Sequence, residues 1–232
     1  MLILLQARMS SSRLPGKILR PIKQGIHVLD MMIERLLRSQ FSHQIMVLTS
    51  THPSDDILAI ALENKKIAIR RGSLMNVASR FYEAVSEYQP SHFMRLCADS
   101  PWIDPTLLDS FINESLQHPS SIITNLFPRT FPKGQSFEII PTAYFVEAYS
   151  KMEEEDLEHV TSYFYRHASH YSIRNISSPC LHSNISQAID TETDWRRFEN
   201  AFYKHADQWR EIDWDQIDQT YATLITREGM PS

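Results

Sequence analysis

The chain predicts an α/β fold: a mostly parallel sheet with helices on both faces and an inserted smaller lobe. Three observations carry this reading. Short apolar runs closed by polar residues recur at 1–7, 44–50, 66–70, 92–98 and 121–125. Segments with helical apolar spacing separate them. After residue 125 that alternation breaks, which places a lobe at about 126–185 within a single domain spanning 1–232.

The elements follow in order. "MLILLQA" is a buried strand, an apolar run stopped by Gln6. Residues 28–39 carry apolar side chains at 28, 29, 32, 33, 36 and 37, a helical stripe. "QIMVLTS" (44–50) is the second strand. "PSDDILAIALENK" (53–65) opens with Pro and acids, which suits a helix start. "KIAIR" (66–70) is a short third strand, and 74–88 a helix. "HFMRLCA" (92–98) is the fourth strand, 104–117 a helix, and "SIITN" (121–125) the fifth strand. Residues 129–140 then read as an extended excursion around Pro132 and Gly134. Two helices follow, over 141–152 and 156–168, then short strands near 170–176 and 185–189, and a helical tail from 190.

The bulk composition narrows the function. The 232 residues are 42% hydrophobic and 22% charged, as in globular proteins that bury a sizeable core. A net charge of −5 argues against a general nucleic-acid binder. Two cysteines, Cys97 and Cys180, are too few for a disulfide framework, so a reducing, cytoplasmic setting is expected. No apolar run reaches the roughly 18 residues of a membrane span, and "MLILL" lacks the basic flank of a signal peptide. The charge is unevenly placed: Arg8, Arg13, Lys17, Arg20 and Lys23 all precede the first acid, Asp30. The rest of the chain has 18 basic against 28 acidic residues. A cationic entry on an acidic body points to an anion site.

In open α/β sheets, ligands sit at the carboxyl ends of strands. The loop "ARMSSSRLPGK" after the first strand holds two arginines, a lysine and three hydroxyls. It is neither a Walker A loop nor a G-x-G-x-x-G turn, so side chains must supply the anion contacts. The alternative is a solvated basic loop. Asp99 falls at the end of the fourth strand, in "RLCADSPWIDP", and is a natural Mg²⁺ ligand. Asp104, before Pro105, is the helix cap. Asp190, in "AIDTETD", ends another short strand, and Asp190 or Thr191 could instead cap the helix that follows. Two strand-end acids and a cationic loop together are the parts of phosphoryl or nucleotidyl transfer. The two-aspartate site requires their carboxylates to lie within about 10 Å of each other.

These residues resemble the CTP-dependent sugar nucleotidyltransferases, the acylneuraminate and 3-deoxy-octulosonate cytidylyltransferases, which carry an A-R-x-x-S-x-R-L-P-x-K loop. The closest branch is the spore-coat polysaccharide biosynthesis protein F type. The resemblance continues through "LTSTHPSDD", "RRGS", "ADSPWIDP", "TNLFPRTFPKG", "FEI", "LEHVTSYF" and "IDTETDW", over about residues 1–205. It implies a Rossmann-like nucleotide-diphospho-sugar transferase fold, with CTP bound by the first half and the sugar under the lobe. Arg8 and Lys17 match phosphate-contacting catalytic positions, and Asp99 and Asp190 the Mg²⁺ aspartates. Ala7, Ser10, Ser12, Arg13, Thr49, Arg71, Gly72 and Ser73 match nucleotide-binding positions. Asn125, Glu138, Glu158 and His159 are sugar-side candidates. Asn76 and Ser79 stand where the branch commonly has acids, and no arginine precedes Asp190.

The implied reaction is attack of a sugar-acid oxygen on the α-phosphorus of CTP, with pyrophosphate leaving. CTP and a nonulosonic or octulosonic acid are the expected partners, with no nucleic acid or membrane, and a homodimer is expected from the resemblance. A metal-dependent glycosyltransferase of related fold and a non-catalytic nucleotide-binding descendant stay open as alternatives. Lys17 is expected to be exposed, so Lys17→Ala would spare folding. The acidic run 153–156 reads as a solvated helix start, Cys97 as a small buried residue, and Trp195, Trp209 and Trp214 as packing residues.

Overall fold

The structure, a computed structural model, describes residues 1–22, 25–41, 44–179 and 185–228. Lys23, Cys180 and residues 181–184 of the expected lobe lie outside the described residues. The sheet is built around β1 (Leu2–Gln6), which pairs in parallel with β2 (Gln44–Ser50) and β4 (His92–Cys97). Beyond β2 lies β3 (Ala68–Gly72), also parallel. On the other side come β6 (Glu138–Pro141), antiparallel to β4, then β5 (Ile122–Thr124), then β7 (Ile173–Asn175), parallel to β5. The order is β3-β2-β1-β4-β6-β5-β7.

Strand β6 departs from the expected excursion. Pro132 and Gly134 mask the onset of a short strand whose four residues are all buried. Pro141 closes it, a position where a missing N–H costs little. The range 126–185 therefore contributes both β6 and β7 to the sheet. Of the two short strands expected near 170–176 and 185–189, only β7 forms. Around 185–189 there is a single bridge, Ser186 to Lys133.

Alternation along β1 sorts the core into two layers. Ile3, Leu5 and Ala7 face one side, where α1 (Val28–Leu36), α2 (Asp56–Asn64) and α4 (Pro105–Gln117) pack through Leu29, Met32, Leu58, Phe111 and Ile112. Leu2 and Leu4 face the other, with α3 (Val77–Tyr88) and α5 (Thr142–Tyr149) packed through Phe81, Val85 and Phe145. A third cluster joins α8 (Glu192–Lys204) and α9 (Trp214–Glu228) to α1 through Met31, Trp102, Trp195, Phe198 and Trp209. The fully buried Arg35 fastens this unit. Its guanidinium donates to the carbonyls of Ile103 at 2.8 Å, Trp209 at 2.6 Å and Ile212 at 2.8 Å.

Local chemistry sets the helix ends. Asp104 caps α4, accepting from the amides of Thr106 (2.7 Å) and Leu107 (3.1 Å). Asn76 caps α3, its Oδ1 accepting from the Ser79 amide at 2.8 Å. The residue type found in place of an acid thus does helix-starting work. The helix expected over 156–168 is two, α6 (Glu154–His159) and α7 (Ser162–Arg166). They are split by Val160 at φ 48° and by a three-residue turn, Thr161 N–H to His159 C=O at 2.5 Å. Burial of Val160 in the second core layer holds that rare conformation. The acidic run 153–156 is not wholly solvated: Asp156 is buried, bonded to Arg166 and, at 2.7 Å, to the Ser162 hydroxyl.

Candidate active site

The carboxyl ends of β1 and β4, the loop after β1 and the segment 187–190 meet at one point. Main-chain bonds fix the meeting: Ala98 N–H to Gln6 C=O at 2.9 Å, and Ile189 N–H to Asp99 C=O at 2.9 Å. The second bond carries Asp190 to the end of β4. The helix cap beyond it is Thr191, paired with Asp194 at the start of α8. Asp104 takes the cap on the β4 side. Both competing roles are thus filled by neighbours, leaving the Asp99 and Asp190 carboxylates for the site.

Lys17 joins them. Gly16 turns the loop with φ 74°, and a 3-10 turn over Lys17–Leu19 aims the lysine inward. Its ammonium lies 2.8 Å from Asp99 Oδ2, 3.1 Å from Asp190 Oδ1 and 2.5 Å from the Ile189 carbonyl oxygen. The two carboxylate oxygens are therefore separated by no more than the sum of the first two distances, inside the separation the two-aspartate site requires. Contrary to the sequence expectation, Lys17 is buried, at 6% exposure. Removing it would leave two carboxylates facing one another without their shared counter-charge, so it contributes to folding as well as to the site.

Asp190 carries two further cations. Arg13 approaches Oδ1 at 3.2 Å, and Lys133 bonds Oδ2. Burial alone would raise the Asp190 carboxyl. Bonding to Lys133 and the charge of Lys17 outweigh it and lower the carboxyl to about 2.

A cavity of about 170 Å³ opens beside this cluster, lined by Gln6, Ala7, Arg8, Ser11, Ser12, Arg13, Lys17, Cys97, Asp99 and Asp190. Of the expected nucleotide-side residues, Ala7, Arg8, Ser12, Arg13 and Lys17 line it. Ser10 does not. Thr49 is fully buried beneath the end of β2. Arg71 is engaged elsewhere, donating to the Ser50 carbonyl at 2.9 Å and Asp56 at 2.6 Å. Gly72 accepts the Thr51 amide at 2.8 Å, and Ser73 accepts the Asn76 amide at 2.9 Å. These three shape the turn after β3 and line no part of the cavity.

A second cavity, about 220 Å³, shares Cys97 and Asp99 with the first and adds Arg95, Arg129, Lys133, Ser136 and Glu138. Glu138, on β6, is bound by Arg95 at 2.5 Å and accepts the Tyr165 hydroxyl at 2.6 Å. Burial and the Glu138 charge push the Tyr165 phenol up, so it keeps its proton to donate. Arg129 donates to Ser136 at 3.0 Å. Cys97 is not sealed in the core: it lines both cavities, and burial raises its thiol, which stays neutral.

The remaining sugar-side candidates divide. Asn125 is fully buried and acts as a bracket, donating to the Gln135 carbonyl at 2.6 Å and accepting the Phe137 amide at 3.0 Å. Glu158 is exposed on α6 and reaches Arg8 at 3.9 Å. His159 is exposed and lines neither cavity. Sequence reading missed Gln6, Arg95, Arg129, Lys133 and Ser136. Gln6 ends β1, Arg129 lies between β5 and β6 in a lone bridge to Leu126, and Lys133 stands within the Pro-Lys-Gly turn.

Asp55 was also missed. It is buried and accepts the Met9 amide at 2.7 Å and the Ser50 amide at 3.1 Å, fixing the first loop to the end of β2. Among the described residues no three acids, histidines or cysteines cluster as a metal cage. Two carboxylates without a cage suit a cation that shares its ligands with phosphates and water. No described helix is long and apolar enough to cross a membrane.

Comparison with known proteins bears on the fold and family. The family model described as Cytidylyltransferase matches residues 2–230. The spore coat polysaccharide biosynthesis protein SpsF of Bacillus subtilis (strain 168) is 29% identical, covering 97% of this chain and 94% of that protein. A solved cytidylyltransferase from Leptospira borgpetersenii superposes with a TM-score of 0.89 at 26% identity, covering 99% of this chain and 97% of that one. A CMP:2-keto-3-deoxy-manno-octonic acid synthetase complexed with CTP shares the fold, with a TM-score of 0.65 at 15% identity over 88% of this chain and 98% of that one.

Proposed function

Since the chain belongs to the cytidylyltransferase family, we propose that it transfers CMP from CTP to a sugar acid of the nonulosonic or octulosonic class and releases pyrophosphate, in surface polysaccharide or glycan synthesis. The observation that carries this is the pair of cation-lined cavities meeting at Asp99. One holds Arg8, Arg13 and Lys17 and suits a triphosphate. The other holds Arg129 and Lys133 and suits an acceptor with its own negative charge. A reaction at the shared wall brings an acceptor oxygen to the α-phosphorus.

Catalysis in such a site rests on positioning and charge. Arg8 and Lys17 meet the charge that grows on the leaving pyrophosphate, and Arg13 steadies the triphosphate. The hydroxyl of Ser12 and the chain at Ala7 border the phosphate path. Glu138, held by Arg95 and Tyr165, forms the floor of the acceptor side. Asp99 and Asp190 fit Mg²⁺, and they would hold it. When bound, the ion supplies positive charge to the phosphate oxygens.

Incubation with CTP, Mg²⁺ and a panel of sugar acids, followed by pyrophosphate release, tests the reading. CTP should bind well ahead of ATP and GTP, with UTP nearest, and equal GTP binding would overturn the choice of base. Asp99→Asn and Asp190→Asn should each lower turnover by about 100-fold or more while circular dichroism stays unchanged. The double change should cost far less than the product of the two, because the pair acts as a unit. CTP binding with no release for any sugar acid would favour the non-catalytic alternative.

A further inference from the structure

The two oxygens of Asp190 face different cavities' cations. Oδ1 is held by Lys17 and Arg13, which line only the nucleotide side. Oδ2 is held by Lys133, which lines only the acceptor side. The turn that carries Lys133 is built to reach this place. Gly134 has φ 108°, and a Cβ there would lie 2.9 Å from the Gln187 carbonyl carbon and the Ala188 nitrogen. That close approach lets the Lys133 carbonyl accept the amides of Gln187 at 2.6 Å and Ala188 at 3.1 Å. Buried Gln135 locks the turn from behind, donating to the Trp102 carbonyl at 2.7 Å and accepting the Asp104 amide at 3.0 Å.

We propose that Lys133 is a positioning residue that guards Asp190 Oδ2 against a divalent cation until an anionic acceptor draws its ammonium away. The inference rests on the reading of Asp190 as a metal carboxylate. A triphosphate offers Arg13 and Lys17 a better partner and frees Oδ1. It offers nothing to Lys133, which approaches from the other cavity. An anion entering beside Arg129 does, and it frees Oδ2. Each substrate thus releases one oxygen, and full metal affinity at Asp190 comes only with both. This favours transfer to the acceptor over loss of CMP to water.

The test is Mn²⁺ binding to the free protein, followed by electron paramagnetic resonance, with no nucleotide or acceptor present. The Lys133 side chain is half exposed, so Lys133→Met leaves the fold intact. Removing a cation that competes for the carboxylate should tighten Mn²⁺ binding about tenfold. Lys133→Arg should behave as the unaltered protein, and adding Asp190→Asn to Lys133→Met should abolish the gain. Equal Mn²⁺ affinity in the unaltered protein and Lys133→Met, with Mn²⁺ binding to the unaltered protein intact when CTP is added, overturns the guard alone. Mn²⁺ binding in no variant, with or without CTP, overturns the metal reading and the guard with it.

Discussion

Asp190 shows how a single carboxylate is committed. Three cations hold it ionised, and its carboxyl falls from 3.8 to about 2. A depressed carboxyl stabilises the fold above its unfolded value and loses that contribution as pH falls through its folded value. Asp190 should therefore contribute up to about 2 kcal/mol at neutral pH, lost between about pH 4 and pH 2. Urea unfolding across that range should show it, and Asp190→Asn should flatten the fall. Asp99 follows β4 and Lys17 lies in the charged loop, as their sequence positions indicate, whereas Asp190 was picked out by a strand that does not form and reaches the cluster through the Ile189 bond to Asp99 instead. Thr49 and Asn125 were expected at the site on the same strand-end rule. Both follow or end strands, yet the fold closes over them. Lys133 was illegible as a partner of Asp190, since 57 residues separate them and a glycine's conformation joins them.

Among the elements, the turn at 132–135 has the sharpest sequence requirement. Gly134→Ala adds a methyl against backbone atoms and places a side chain at a left-handed φ. The expected cost is at least about 1 kcal/mol, measured by chemical unfolding. The same variant should weaken acceptor saturation more than CTP saturation, because the displaced turn carries Lys133. The first five strands and their helices were readable from periodicity, since each strand is a short apolar run closed by polar residues, even where it is only half-buried, as β3 is. Strand β6 was not, because its antiparallel partner β4 lies 41 or more residues earlier and the strand is four residues long. The break at Val160 was also hidden. Nothing local stops a helix there, and the turn is imposed by packing.

For the molecule as a whole, Arg35 sets how the carboxyl-terminal helices stay attached. Among the described residues no acid is bonded to it. Burial lowers its guanidinium to about 10, still a cation, and backbone carbonyls from the 102–103 and 209–212 segments surround it. Arg35→Met keeps the length of the side chain but strips those carbonyls of their donor. Each buried carbonyl left unpaired costs about 1–3 kcal/mol, so the change should lower stability by roughly 3 kcal/mol or more. Thermal unfolding should show one earlier transition if α8 and α9 unfold with the sheet. The residues of α1 predicted the helix, but not this task. An arginine amid an apolar stripe reads as an exposed interruption until the helices that cover it are in place.

The bond from Ile189 to Asp99 bears on how the protein is made. Synthesis proceeds from the amino terminus, so the loop after β1 and β4 itself leave the ribosome well before residue 190. Until then Lys17 has only Asp99 as a partner, and Arg13 and Lys133 have no Asp190 to neutralise. A nascent chain stalled short of residue 190 is thus more cationic at its loop than the finished protein.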